Sequence, residues 1–190
     1  DITMGVMANP FYLDMGYSKS EIAAVSKLFG FGMTLFGAAL GGVLVARLGL
    51  HRPLLLGAVL VAATNLLFAT LALMPHDLLW LTVVISADNL SGGIATSAFI
   101  AWLSSLTSVA YTATQYALFS SLMTLLAKLI GGFAGVVVDS QGYFVFFLYA
   151  GLLGLPAILL SLQLPRLHAR LRASRPDPDT DHSPGPSGRV

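Results

Sequence analysis

The chain contains several apolar stretches of about 20 residues, the length that an α-helix needs to cross roughly 30 Å of hydrocarbon. Of its 190 residues, 56% are hydrophobic and 10% are charged. Soluble domains usually carry about 25% charged residues. The sequence therefore predicts an all-α membrane protein that crosses the bilayer several times.

Four charged side chains interrupt these apolar stretches, namely those of Asp1, Lys27, Asp88 and Lys128. On insertion scales, a charge at the centre of a membrane helix costs about 2.5–3.5 kcal/mol. We therefore expect these side chains to face one another, or water, in a cavity between helices.

Composition excludes several other kinds of site. The net charge is only +1 and the chain has no cysteine, so we expect no nucleic-acid footprint, disulfide, thiolate nucleophile or cysteine-based metal site. The four histidines fall in predicted loops or in the tail, which argues against a buried metal cluster. We expect no metal and no cofactor.

Turn and cap residues divide the chain into six predicted helices within residues 1–164. A capping-box pattern, Ser18 followed by Glu21, predicts the start of the second one. The first is too short to cross a membrane and has no signal-peptide features, so we expect a truncated helix. Residues 165–190, rich in Arg, Pro, Asp and Ser, are predicted to form a disordered tail after a short basic stretch. The predicted helices are 1–13, 20–47, 53–74, 78–103, 113–138 and 143–164.

The distribution of charge between loops predicts the orientation. Arg47, Arg52 and the arginines of the tail fall on one side of the membrane. The other side receives Asp14, Lys19, Glu21, Asp77 and Asp139. Positive loops face the cytoplasm, so the C-terminus is predicted to be cytoplasmic.

Polar and small residues recur along one face of most of the helices. Such stripes allow close helix packing. In the fourth helix, the apolar residues Leu90, Ile94 and Ala98 take the opposite side, which we expect to face lipid. The predicted stripes are Lys27, Gly30, Thr34, Gly37 and Gly41; Ala58, Ala62, Asn65, Ala69 and Ala72; Asp88, Asn89, Gly92, Gly93 and Thr96; and Thr114, Ser121, Lys128 and Gly135.

A rise of about 1.5 Å per residue places Asp1, Asn65, Asp88 and Lys128 near mid-bilayer and Lys27 closer to the outer boundary. Secondary transporters bind substrates and coupling ions near that depth. Structural roles stay open beside the functional ones. Lys27 could reach the lipid headgroups, Asp88 and Lys128 could form a purely structural ion pair, and Asn65 could join two helices.

Residues 42–52, GVLVARLGLHR, resemble the signature loop of the major facilitator superfamily. In that superfamily the loop joins the second and third helices of each half on the cytoplasmic side. Its acidic position is occupied here by Ala46. The other positions of the signature are occupied by Gly42, Arg47, Gly49 and Arg52.

More specific strings resemble muropeptide permeases of the AmpG type. They are VSK at 25–27, DNLSGG at 88–93, TSAF at 96–99 and TATQYAL at 112–118, and residues 1–13 resemble the seventh helix. This resemblance covers nearly all of residues 1–165. It implies that the chain is a six-helix half, helices seven to twelve, of a twelve-helix transporter whose N-terminal half is its partner.

The same resemblance implies a multi-pass protein of the bacterial inner membrane that imports anhydro-muropeptides from periplasm to cytoplasm. Proton symport would drive import, for peptidoglycan recycling and β-lactamase induction. No enzymatic activity is implied. A mid-bilayer carboxylate can carry the coupling proton, with Asp88 as first choice and Asp1 as second. The candidate substrate-binding or coupling residues are Asp1, Lys27, Asn65, Asp88, Asn89, Gly92, Gly93, Thr114, Gln115 and Lys128.

Three other functions stay open. One is a major facilitator carrier for another anionic cargo, such as an acyl-coenzyme A or a siderophore, and another is a non-transporting membrane scaffold or receptor. The third is a membrane-embedded acyltransferase, which would need a nucleophile or a His/Asp set near one interface. The loops offer only His51 and the pair His76–Asp77 for that purpose.

Overall fold

A computed structural model describes residues 2–105 and 112–173, and these residues fold entirely into helices and short connections. The prediction of an all-α protein is therefore confirmed. The helices are α1 (Ile2–Asp14), α2 (Lys19–Val25), α3 (Phe31–Leu48), α4 (His51–Leu71), α5 (Leu78–Ser105), α6 (Thr112–Gly132) and α7 (Ala134–Ala173), with a π-helical turn at Ser26–Gly30 between α2 and α3.

The turn between α1 and α2 forms as the sequence predicts. Gly16 has a positive φ of 87°, which glycine adopts without steric cost. Ser18 then caps α2, because its Oγ accepts a hydrogen bond from Glu21 N and its N donates to Glu21 Oε2 at 2.8 Å. The capping box is confirmed, and it fixes where the second helix begins.

Among the described residues, four helical segments are long and apolar enough to cross a membrane. They are Lys19–Leu48, His51–Leu71, Leu78–Ser105 and Ala134–Gln163. Helix α6 is not one of them, because Thr, Ser, Gln and Lys side chains lower its hydropathy. These polar side chains are typical of a helix that keeps one side toward polar surroundings.

Two predicted helices differ from the structure. The predicted helix 113–138 is interrupted at Phe133, where α6 ends and α7 begins. Gly142 then leaves helical geometry (φ 79°, ψ 170°) and divides α7 at the predicted turn. The backbone remains helical to Ala173, through the short basic stretch that follows residue 165. Residues 174–190 lie outside the described part of the chain.

Helix α5 packs against α3 through glycines on both helices. A Cβ built at Gly37 would lie 2.3 Å from the carbonyl oxygen of Leu90, and one at Gly93 would lie 2.5 Å from that of Thr34. Ser97 Oγ adds a hydrogen bond to the Ala38 carbonyl at 3.0 Å. The small residues Gly37 and Gly41 of α3 and Gly93 of α5 therefore lie in a packing face.

The prediction that Leu90, Ile94 and Ala98 face lipid is wrong. Ile94 and Ala98 are buried, and the backbone of Leu90 lies against Gly37 of α3. On its other side α5 packs against α4, where Gly57 meets Ala95. Helix α5 thus lies between two neighbours, and its apolar side chains fill both contacts.

Aromatic side chains join α1, α4 and α7 at one end of the bundle. Phe11 is fully buried and has its ring centroid 4.9 Å from that of Phe147 and 6.3 Å from that of Phe68. Tyr143 donates a hydrogen bond to Asp14 at the edge of this cluster. The cluster anchors the short helix α1 against two longer helices.

Candidate functional site

Asp88 lies on α5 about 15 Å from Leu78, the start of that helix, as estimated from the helical rise. Thr64 Oγ1 of α4 donates a hydrogen bond to Asp88 Oδ1 at 3.1 Å. The carboxylate is therefore placed at the contact between α4 and α5, with a hydroxyl as its partner.

Asn89, the next residue, faces the opposite neighbour of α5. Its Oδ1 accepts a hydrogen bond from Thr34 Oγ1 at 2.9 Å, and its Nδ2 donates to the carbonyl of Ile85 at 2.8 Å. A Cβ at Gly30 would lie 3.4 Å from Asn89 Nδ2, so the end of the π-helical turn packs on this amide. Two consecutive residues of α5 thus connect it to α4 and to α3.

Asn65 is 2% exposed and sits next to Thr64 on α4. Its Nδ2 donates to the carbonyl of Val61 in the same helix at 3.0 Å, whereas its Oδ1 has no partner among the described residues. The side chain lies against Gly151 of α7. Among the described residues, Asn65 forms no hydrogen bond to another helix, which was one of the two roles that the sequence left open.

Lys27 lies in the π-helical turn and is exposed. It lines a cleft of about 400 Å³ between α1 and the start of Lys19–Leu48, which is named the second span because α1 precedes it in the chain. The other lining residues are Asn9, Leu13, Lys19, Ile22, Ala23 and Ser26. Lys27 therefore faces a different space from Asp88.

Lys128 lies on α6 and lines a second cleft of about 380 Å³ with Ser120, Ser121, Thr124 and Leu125, all of the same helix. Within the described residues, the ion pair between Asp88 and Lys128 that we left open does not form. Thr114 is exposed and Gln115 half-buried on the same helix. The predicted convergence of all the charged residues on one site is therefore not seen.

The remaining candidates of α5 have packing roles, and one candidate is outside the described residues. Gly93 is buried against the backbone of α3, and Gly92 is half-buried. Asp1 lies outside the described residues, so its relation to Asp88 stays a prediction.

The signature loop joins α3 to α4 in only two residues. Gly49 ends α3 with φ 77° and ψ −175°, a conformation that is essentially restricted to glycine. Arg47 and Arg52 are exposed on either side of it. Gly42 is also exposed, and a Cβ there would meet no neighbour.

Sequence reasoning missed the hydrogen-bond partner of Asp88. Thr64 lies beside a residue that we singled out, but only the register between α4 and α5 shows that it reaches the carboxylate. Residues on neighbouring helices become partners through packing, which sequence spacing does not contain.

A comparison with protein families matches residues 1–187 to the Major Facilitator Superfamily. The chain belongs to the major facilitator superfamily. This membership accounts for the signature loop between α3 and α4 and for the several membrane-spanning helices.

Relatives within this superfamily carry muropeptide-related names. The chain is 33% identical over 164 residues to a Rickettsia conorii protein named as a transporter, AmpG 4, and the match covers 86% of this chain and 40% of that protein. It is 34% identical over 148 residues to the anhydromuropeptide permease of Escherichia coli K12, covering 78% and 30% respectively. The resemblance to AmpG-type permeases is confirmed, and the chain spans less than half the length of these relatives.

Proposed function

We propose that this chain forms the C-terminal half of a secondary transporter that imports anhydro-muropeptides from the periplasm into the cytoplasm of a bacterium. Proton symport drives the import, which serves peptidoglycan recycling and β-lactamase induction. The proposal rests on similarity to the anhydromuropeptide permease, whose match spans most of this chain.

The observation that carries the coupling mechanism is the placement of Asp88. A carboxylate about halfway through a membrane helix is costly unless it serves a pathway or has a partner. Here it has a single hydroxyl partner, Thr64, and no lysine or arginine of the described residues forms an ion pair with it. An acid that is not neutralised by a fixed cation can bind and release a proton. We assign the coupling proton to Asp88.

Charges at the two ends of the second span support the proposed orientation. Glu21 lies at its start, with Oε2 3.8 Å from His76 Nε2. Arg47 lies at its other end, next to the loop with Arg52. The positive-inside rule places the arginines in the cytoplasm and the Glu21–His76 contact in the periplasm. The protein is then an inner-membrane protein with a cytoplasmic C-terminus.

A second six-helix half completes the transport path in this proposal. The polar faces of α6 and of the cleft at Lys27 are open in this chain. Polar residues in membrane segments generally face protein or a water-filled cavity. The partner half covers them, and neither half transports alone.

Uptake by the complete transporter in proteoliposomes tests the function. Labelled anhydro-muropeptide should accumulate when the proton concentration is higher outside than inside, and accumulation should stop when a protonophore removes the gradient. Uptake that ignores the gradient would refute proton symport. Uptake of acyl-coenzyme A or a siderophore in place of the muropeptide would favour another cargo, and turnover of the cargo without transport would favour an enzyme.

A further inference from the structure

The cleft between α1 and the second span contains two lysines on one helix face. Lys19 and Lys27 are eight positions apart, a separation of about 12 Å along the helix, and both line the cleft. Asn9 reaches it from α1 and Ser26 from the π-helical turn. Leu13, Ile22 and Ala23 make the rest of the wall apolar. Two ammonium groups, an amide and a hydroxyl on such a wall suit an anion that also carries apolar groups.

The acidic residue nearest to these lysines in the sequence is engaged elsewhere. Glu21 accepts hydrogen bonds from the backbone N and the Oγ of Ser18, at 2.8 and 2.7 Å, and faces His76. Neither lysine forms an ion pair with a described residue. Both positive charges are therefore left available to a ligand.

The π-helical turn is the second, independent observation. Such turns are rare and occur frequently at functional sites. This one begins at Ser26 and ends at Gly30, which is buried against Asn89 of α5. Within this turn, Lys27 lines the cleft while Gly30 keeps its contact with α5.

We propose that this cleft binds a carboxylate of the imported molecule, with Lys19 at its outer mouth and Lys27 deeper in the membrane. The inference rests on the proposed function and assigns a specificity-determining role within it. The peptide part of a muropeptide ends in carboxylates, so the cleft selects the peptide-bearing cargo. Asp88 is not part of this site, because it faces α4 through Thr64.

Two cargoes and three forms of the complete transporter test the proposal in proteoliposomes. One cargo is an anhydro-muropeptide with free peptide carboxylates, and the other is the same molecule with those carboxylates amidated. Lys27→Gln should raise KM for the free acid about tenfold, the size expected for the loss of one charge-assisted hydrogen bond, and should leave KM for the amide unchanged. Lys27→Arg should retain the preference for the free acid.

The amidated cargo reports on folding in the same vesicles, because a misfolded variant would lose uptake of both cargoes. If Lys27→Gln still takes up both cargoes and changes KM equally for both, or for neither, the carboxylate site is refuted and the proposed function stays intact. A lysine that only contacts lipid headgroups gives one of these two results. If the unmodified transporter takes up neither cargo, the proposed function fails, and this inference fails with it.

Discussion

Replacing Gly37 with alanine tests the close contact between α3 and α5. The new Cβ would lie 2.3 Å from the Leu90 carbonyl oxygen, and backbone cannot rotate away as a side chain can. Ordinary contacts between heavy atoms are about 3.5–4.0 Å, so the helices must separate by about 1 Å. Overpacking of this kind costs about 1–3 kcal/mol.

Separation of α3 and α5 also weakens the hydrogen bonds between them. Thr34 to Asn89 is 2.9 Å and Ser97 to Ala38 is 3.0 Å, so an added 1 Å would break both. Each contributes about 1 kcal/mol, whereas alanine recovers about 1 kcal/mol of helix propensity. We expect Gly37→Ala to lower the free energy of unfolding by about 2–4 kcal/mol in total.

Gly32→Ala is the matched control, because Gly32 lies on the same helix and a Cβ there meets nothing within 4 Å. It should leave stability unchanged or raise it by up to about 1 kcal/mol. Thermal unfolding of both purified variants in the same detergent measures the difference. If Gly37→Ala is as stable as Gly32→Ala, the close packing described here is wrong.

Two further substitutions separate local roles by the same unfolding measurement. Thr64→Val keeps the side-chain shape but removes the donor to Asp88, so it should lower the free energy of unfolding by about 1.5–3 kcal/mol. Thr70 is exposed on the same helix, so Thr70→Val should change that free energy by less than about 0.5 kcal/mol. Equal effects of the two substitutions would show that the hydrogen bond contributes nothing. Gly49→Ala places a side chain on a residue with φ 77° and should lower the free energy of unfolding by about 1–3 kcal/mol. Gly42→Ala in the same motif should leave that free energy unchanged. A Gly49→Ala variant as stable as the unmodified protein would contradict the observed loop geometry.

Local signals predicted much of the fold because they depend on neighbours in the sequence. The cap at Ser18 and the bend at Gly142 are set by side chains or backbone preferences within a few residues. The glycines of α3 predicted a packing face because a small residue at every turn permits close approach.

The orientation of α5 could not be predicted in the same way. Lipid tails are as apolar as leucine, so an apolar side chain gains about as much from lipid as from another helix. Ile94 and Ala98 are buried between helices, although a side that faces lipid would show the same apolar pattern.

Sequence reasoning selected candidate residues one at a time, and it could not predict how they are arranged. Burial cost identifies Asp88 and Lys27 as residues that need a role. Their partners depend on which helices are neighbours and on the register between them. That packing places Thr64 beside Asp88 and Lys27 in a separate cleft. Charge alone indicated that they would meet, and the structure shows that they do not.

Replacing Asp88 with asparagine tests the central claim, that this carboxylate couples muropeptide import to protons. Asparagine keeps the size of the side chain and an oxygen that can accept from Thr64, but it cannot bind and release a proton. In proteoliposomes the variant of the complete transporter should exchange labelled anhydro-muropeptide across the membrane without accumulating it against a gradient. Accumulation by Asp88→Asn at the rate of the unmodified transporter would contradict the account.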